Sequence, residues 1–80
     1  MPKGATSPRA EVLRVLMIER RRAANLTQDQ LAAKLNWHQS TIATIENGQR
    51  RVSLLEFIRL AEALDIDICK FMKLVSGVPE

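Results

Sequence analysis

Apolar residues recur through this chain at spacings of three and four, the period of helices that pack by one face, and they come in short runs broken by polar, turn-forming residues. Leu13, Leu16, Met17 and Ala24 share one such face. Before them, Ser7-Pro8 is a helix start: a hydroxyl to cap the first turn, then a proline at the first helical position, where its missing N–H costs nothing. A first helix is expected over about residues 8–24, ended by Asn25 in the left-handed conformation that asparagine tolerates second only to glycine. Thr27-Gln28-Asp29-Gln30 reads as a capping box and predicts a second helix over 28–35, with Asn36 as another left-handed turn and Trp37 as an apolar anchor. A third helix follows over about 38–47, with Ile42 and Ile45 inward, Gln39, Ser40, Ala43 and Thr44 outward, and Asn47-Gly48 as its stop.

Ser53 and Glu56 form a second capping box, opening a helix whose Leu54, Phe57, Ile58, Ala61 and Leu64 make an apolar stripe expected to be core. Asp67 can cap a fifth helix through Val75. The pattern therefore predicts an all-α domain of five helices over residues 8–75, with a disordered N-terminal tail at 1–7 and a frayed C-terminal tail at 76–80.

At 80 residues, there is room for one small core, so any function must sit on the surface of one unit. No apolar stretch approaches the ~20 residues needed to cross a bilayer, and the first residues are polar and small, so a soluble, cytoplasmic protein with no membrane partner is expected. The single cysteine, Cys69, has no disulfide partner and no companion for a zinc site; it reads as a packing residue in a reducing compartment. The charge is polarised along the chain. Up to Asn25, Lys3, Arg9, Arg14, Arg20, Arg21 and Arg22 face only Glu11 and Glu19, whereas beyond Val52 the acids outnumber the bases. The Arg20-Arg21-Arg22 run is fanned by helical geometry over separate directions, which reads as a solvated face with one salt bridge.

The residues that catalysis needs are missing. There is no Ser/His/Asp set, no phosphate loop and no group of metal ligands, and His38 stands alone. An enzyme, a cofactor and a small-molecule ligand are therefore not expected. His38 reads as a cap or surface residue, with a contact to a binding partner as its sharper alternative.

The apolar positions Leu31, Leu35, Trp37, Ile42 and Ile45, with small Ala32 where two crossing helices need close approach, have the spacing of a helix-turn-helix. In that motif the second helix enters the DNA major groove. Gln39, at its front, carries a donor and an acceptor in one plane that fit the N6 and N7 edge of adenine, and Ser40 can donate or accept at a neighbouring base. Thr44 and Ala43, one turn on, suit a thymine methyl or a base edge. Asn47, Gln49, Arg50 and Arg51, just past the helix, are placed to hold phosphates, which positions the helix without choosing a sequence.

Leu26-Thr27-Gln28-Asp29-Gln30-Leu31-Ala32 and Ile45-Glu46-Asn47-Gly48 resemble two signature stretches of the Cro and phage-repressor family of XRE-type regulators, over about residues 14–75. The resemblance implies a lambda-repressor-like DNA-binding domain acting as a transcriptional regulator on double-stranded DNA. It also implies that Gln39 and Ser40 touch base edges, that Gln28 touches a phosphate and braces the Gln39 amide, and that Arg21 and Glu46 form a partly buried ion pair. The chain departs from the family's glycines at Asn25 and Asn36, and from its usual residues at Trp37 and His38.

Ile66, Ile68, Phe71, Met72, Leu74 and Val75 exceed what a short terminal helix can bury on its own subunit. They are the candidates for a homodimer interface, which would suit a pseudo-palindromic operator. The alternative class is a protein-interaction module, such as an antitoxin or accessory subunit, in which the same fold is a scaffold.

Overall fold

The computed structural model describes residues 7–80 and contains five helices: α1 (Pro8–Ala23), α2 (Gln28–Leu35), α3 (Gln39–Glu46), α4 (Leu54–Leu64) and α5 (Ile68–Ser76). Their starts are built by local chemistry. Ser7 accepts from the backbone N–H of Ala10, and Asp67 does the same for Lys70. Thr27 with Gln30, and Ser53 with Glu56, close two reciprocal capping boxes at the heads of α2 and α4. His38 sits at the N-cap of α3, but its imidazole makes no capping hydrogen bond there.

The helix ends follow one repeated device. Asn25, Asn36 and Asp65 adopt left-handed φ of 59°, 59° and 56°. The next residue in each case, Leu26, Trp37 and Ile66, returns its N–H to a carbonyl five positions back. All three of those following residues are apolar and pack into or against the core, so each turn is stapled from inside. Trp37 is held further by the Arg59 guanidinium, 5.6 Å from its ring centroid, which also donates to the Leu35 carbonyl at 2.6 Å.

The end of α3 uses the same backbone geometry with a different outcome. Gly48 takes φ +82°, and Gln49 returns its N–H to Thr44 O at 3.0 Å. Gln49 is polar and exposed, so the chain beyond α3 is not drawn into the core.

One apolar cluster unites the helices, with Met17 from α1, Leu31, Ala32 and Leu35 from α2, Ile42 and Ile45 from α3, Phe57, Leu60, Ala61 and Leu64 from α4, Ile66, and Phe71 from α5. Helix α2 packs on α3 and α4, and α1 on α3 and α5. Phe57 and Phe71 meet tilted, with ring centroids 5.4 Å apart. Among the described residues no helix is long and apolar enough to cross a membrane.

Several expectations need correction. Leu54 is 73% exposed and leaves the predicted core stripe, its place taken by Leu60, because the buried face of α4 runs through 57, 60, 61 and 64. Ala24 is an exposed cap residue, not part of the inner face of α1. Cys69 is exposed, since it lies off the stripe by which α5 packs. Phe71 and Ile66 are not available to a partner, being buried in the subunit's own core at 1% and 9% exposure. Ile68, Met72 and Leu74 stay exposed, and Val75 is half-buried.

The C-terminal residues are anchored where fraying was expected. Arg9 donates from Nε to Val78 O at 2.8 Å and from Nη2 to Ser76 O at 3.1 Å, and its backbone N–H reaches the Glu80 carboxylate at 3.1 Å. Of the expected N-terminal tail, residues 1–6 lie outside the described residues.

Phe71→Ala should cost about 3–5 kcal/mol, a large part of the stability of so small a domain. Leu54→Ala should stay within about 0.5 kcal/mol. Urea denaturation of both variants checks the assignment, and equal losses would contradict it.

Candidate nucleic-acid interface

Helix α3 has eight residues, too few to be stable alone, so its orientation is set by what grips it. Ile42 and Ile45 bury one face. The main polar grip falls on Glu46, the last helical residue, which is 8% exposed. Arg21, equally buried, donates from Nε to Glu46 Oε2 at 2.6 Å and from Nη2 to Oε1 at 3.0 Å. This is the two-pronged match of guanidinium to carboxylate, and the third arm of Arg21 donates to Leu26 O at 2.8 Å. Arg14, seven residues earlier and so on the same face of α1, donates to the backbone carbonyl of Glu46 at 2.6 Å and pairs with Glu11. That hydrogen bond draws the Glu11 carboxyl below the usual range.

In the sequence Arg14 counts only as one of the cations of the basic N-terminal part. Its role depends on where the end of α3 comes to rest, and nothing in the local pattern of α1 carries that.

From Glu46 the network runs outward. Gln28 Nε2 donates to Glu46 Oε1 at 2.9 Å, and Gln39 Nε2 donates to Gln28 Oε1 at 2.7 Å. Thus Arg21, Glu46, Gln28 and Gln39 form one connected series from the buried ion pair to the exposed front of α3. The link between Gln28 and Glu46 is absent from the sequence reading, although the two residues were each singled out.

Gln39 and Ser40 are exposed, with Ala43 and Thr44 half-buried on the same side of the helix. The Thr44 hydroxyl is within hydrogen-bonding distance of Ser40 O, at 2.9 Å, and Thr41 O, at 3.0 Å. Its proton is therefore committed inside the helix, which leaves its lone pairs and methyl for an outside partner.

Beyond the helix, Asn47 and Gln49 hydrogen-bond each other through side chain and backbone, which orders the start of the loop. Arg50 is ion-paired with Glu56, whereas Arg51 is exposed and makes no ion pair among the described residues. Glu56 accepts from the Ser53 backbone N–H at 3.0 Å. That bond first, and Arg50 after it, holds its carboxyl below the usual carboxylate range. Among the described residues no group of acids, histidines or cysteines could hold a metal ion.

Two short helices across a three-residue turn, with a neutral polar face on the second, its first amide oriented, and cations in the following loop, define a DNA-binding helix-turn-helix. The chain matches the model of a helix-turn-helix family over residues 17–71. Among solved structures it is similar to an XRE-family-like protein from Pseudomonas syringae pv. tomato, with 32% identity, coverage of 86% of this chain and 84% of that one, and a TM-score of 0.81. It is similar also to the restriction-modification controller protein C.AhdI from Aeromonas hydrophila, with 35% identity over 75% of this chain and 91% of that one and a TM-score of 0.69. The controller protein C.Esp1396I, crystallised as a tetramer with its natural 35 base-pair operator, shares the fold at 20% identity, 89% and 93% coverage and a TM-score of 0.77. No curated protein matches the chain. The chain belongs to the XRE-type helix-turn-helix family of DNA-binding regulators.

Arg21→Met should destabilise the fold by about 3–5 kcal/mol, because it strands the Glu46 carboxylate in a buried site. Adding Glu46→Leu should recover most of that loss, as measured by urea unfolding.

Glu56→Gln keeps the capping box and removes only the charge. Because the folded pKa of Glu56 is depressed, the charge contributes stability above the unfolded pKa, and this is lost as pH falls through the lower folded value. The wild type should therefore exceed the variant in stability at neutral pH, with the gap closing in the acid range. A gap independent of pH in thermal melts would contradict the ion-pair and capping roles.

Proposed function

We propose that this protein is a sequence-specific regulator of transcription that binds double-stranded DNA with α3 in the major groove, as a homodimer on a pseudo-palindromic operator. The observation that carries this reading is the division of chemistry around α3. Its outward face is uncharged, with amide and hydroxyl groups, and the exposed cations Arg50 and Arg51 stand outside it in the following loop. Hydrogen bonds to base edges choose a sequence, whereas cations on phosphates only position the protein.

Gln39 is the principal base reader, paired bidentately with an adenine; Ser40 reads beside it, and Ala43 and Thr44 approach a thymine methyl. Gln28, Asn47, Gln49 and Arg51 hold phosphates. Arg50 joins them if it leaves Glu56, an exchange of one anion for another at small cost in an exposed pair. His38, exposed at the head of α3, is the further candidate for a DNA contact.

The homodimer rests on the apolar surface that α5 does not bury, with Ile68 and Met72 at its centre and Val75 beside them. A two-fold pair of such subunits would set two recognition helices about 34 Å apart, one turn of DNA. C.Esp1396I, a protein of the same fold, is an oligomer, a tetramer, on its own operator. Such a protein works in the compartment that holds the DNA.

Selection of bound sites from a random duplex library tests the reading as a whole; a two-fold symmetric consensus is expected, and recovery of no consensus would refute sequence-specific binding. On the selected site Gln39→Ala should weaken binding by about 1–3 kcal/mol and relax preference at one base pair. Arg51→Ala should instead lower affinity on every sequence and flatten the salt dependence. Gel-shift titrations on cognate and random duplexes at several salt concentrations separate the two behaviours.

A further inference from the structure

The hydrogen bonds leading to Gln39 have a direction, and one residue sets it. An ionised carboxylate only accepts, so Glu46 must be met by N–H groups: two from Arg21 and one from Gln28. Gln28 therefore turns its Nε2 inward and its Oε1 outward. That oxygen in turn requires an N–H from Gln39, and it receives one at 2.7 Å. An amide alone could be flipped end for end with nearly the same shape, but this series admits one orientation at each step.

What remains on Gln39 is its Oε1 and one Nε2 hydrogen. These are the acceptor and donor that match N6 and N7 of adenine. The flipped amide would face outward with both Nε2 hydrogens free, a pattern suited to the O6 and N7 acceptors of guanine.

We infer that Glu46, buried at the far end of α3 and out of contact with DNA, is the specificity-determining positioning residue: its charge fixes which way the Gln39 amide faces, and so selects adenine over guanine. This rests on the base-reading role proposed for Gln39. It assigns to the Arg21–Glu46 pair a task beyond joining two helices, for the pair supplies a fixed acceptor at the root of the series. Arg21 fills one side of that acceptor and leaves Oε1 able to serve Gln28 as well.

The test replaces the acceptor by a group that can turn either way. Glu46→Gln keeps the size and polarity of the side chain, yet can offer Gln28 an oxygen or an N–H. Because it leaves Arg21 without a counter-charge, the paired variant Arg21→Met with Glu46→Gln is made beside it, removing both charges. The probe is the duplex recovered by selection, prepared with each of the four base pairs at the position that Gln39→Ala renders degenerate.

Wild type should prefer adenine there by about 5- to 150-fold. Each folded Glu46 variant should reduce its preference over guanine to within a few fold. In the Gln39→Ala background the Glu46 substitution should have no further effect on base preference. A Glu46 variant that folds and keeps the wild-type preference, or that loses affinity equally on all four duplexes, overturns the inference.

The free wild-type protein provides a separate readout by NMR. One side-chain amide proton of Gln39 and one of Gln28 should be slowed in exchange, with hindered rotation of both amide groups. Freely averaging amides would overturn the inference whether or not the variants fold. If wild type shows no base preference at all while these protons are protected, the base-reading role fails and the oriented series stands.

Discussion

The ion pair between Arg21 and Glu46 is the interaction on which the rest of the domain is arranged. It joins the last turn of α1 to the last residue of α3 at distances of 2.6 and 3.0 Å, with both side chains nearly out of solvent. A helix of eight residues has little stability of its own; its two inward isoleucines set which face is buried, and hydrogen bonds of defined direction fix its C-terminal end. Arg14 adds a second tie, to the Glu46 carbonyl, so two arginines on one face of α1 hold the side chain and backbone of one residue. The angle at which α3 is presented is therefore set by α1 as well as by packing on α2.

The ends of the helices solve a related problem. After a left-handed residue the chain must leave in some direction, and at three of these ends an apolar side chain, Leu26, Trp37 or Ile66, draws it into the core. After α3 the corresponding residue is Gln49, and the chain keeps to the surface, where Asn47 ties it down and Arg50 and Arg51 follow. The same backbone turn thus serves packing in three places and exposure in the fourth. Gly48 suits that fourth turn, since φ of +82° is costly for other residues, and the Arg14 side chain runs alongside, 3.6 Å from where a Cβ would stand.

What was legible in the sequence was mostly local. Both capping boxes and the left-handed turns at Asn25 and Asn36 depend on residues within a few positions of each other, and their chemistry can be read without knowing the fold. The buried faces were legible only in part. In α4 an apolar residue at Leu54 extends the stripe in sequence but lies in the first turn, beyond the reach of the neighbours that cover Phe57 and Leu60. Phe71 is apolar by the same pattern as Met72, and only the position of Phe57 across the core decides that one is buried and the other exposed. The ties from Arg14 to Glu46 and from Gln28 to Glu46 span 32 and 18 residues, and no periodicity within one helix signals either.

A buried ion pair is not the most stabilising occupant of such a site, because desolvation of two charges offsets much of their attraction, and apolar residues of similar volume often do as well. An apolar pair here would still join α1 to α3. It would offer Gln28 no acceptor, and the amide of Gln28 would be held by neither end. Gln39 would then meet a partner free to turn, and the outward face of α3 would present a donor or an acceptor at random. The carboxylate is needed because it is the one group in the series that cannot exchange the two roles, and its burial beside Arg21 keeps water from taking the place of Gln28. On this argument the site retains charge at a cost in stability because fixed polarity at the surface of α3 requires a fixed acceptor beneath it.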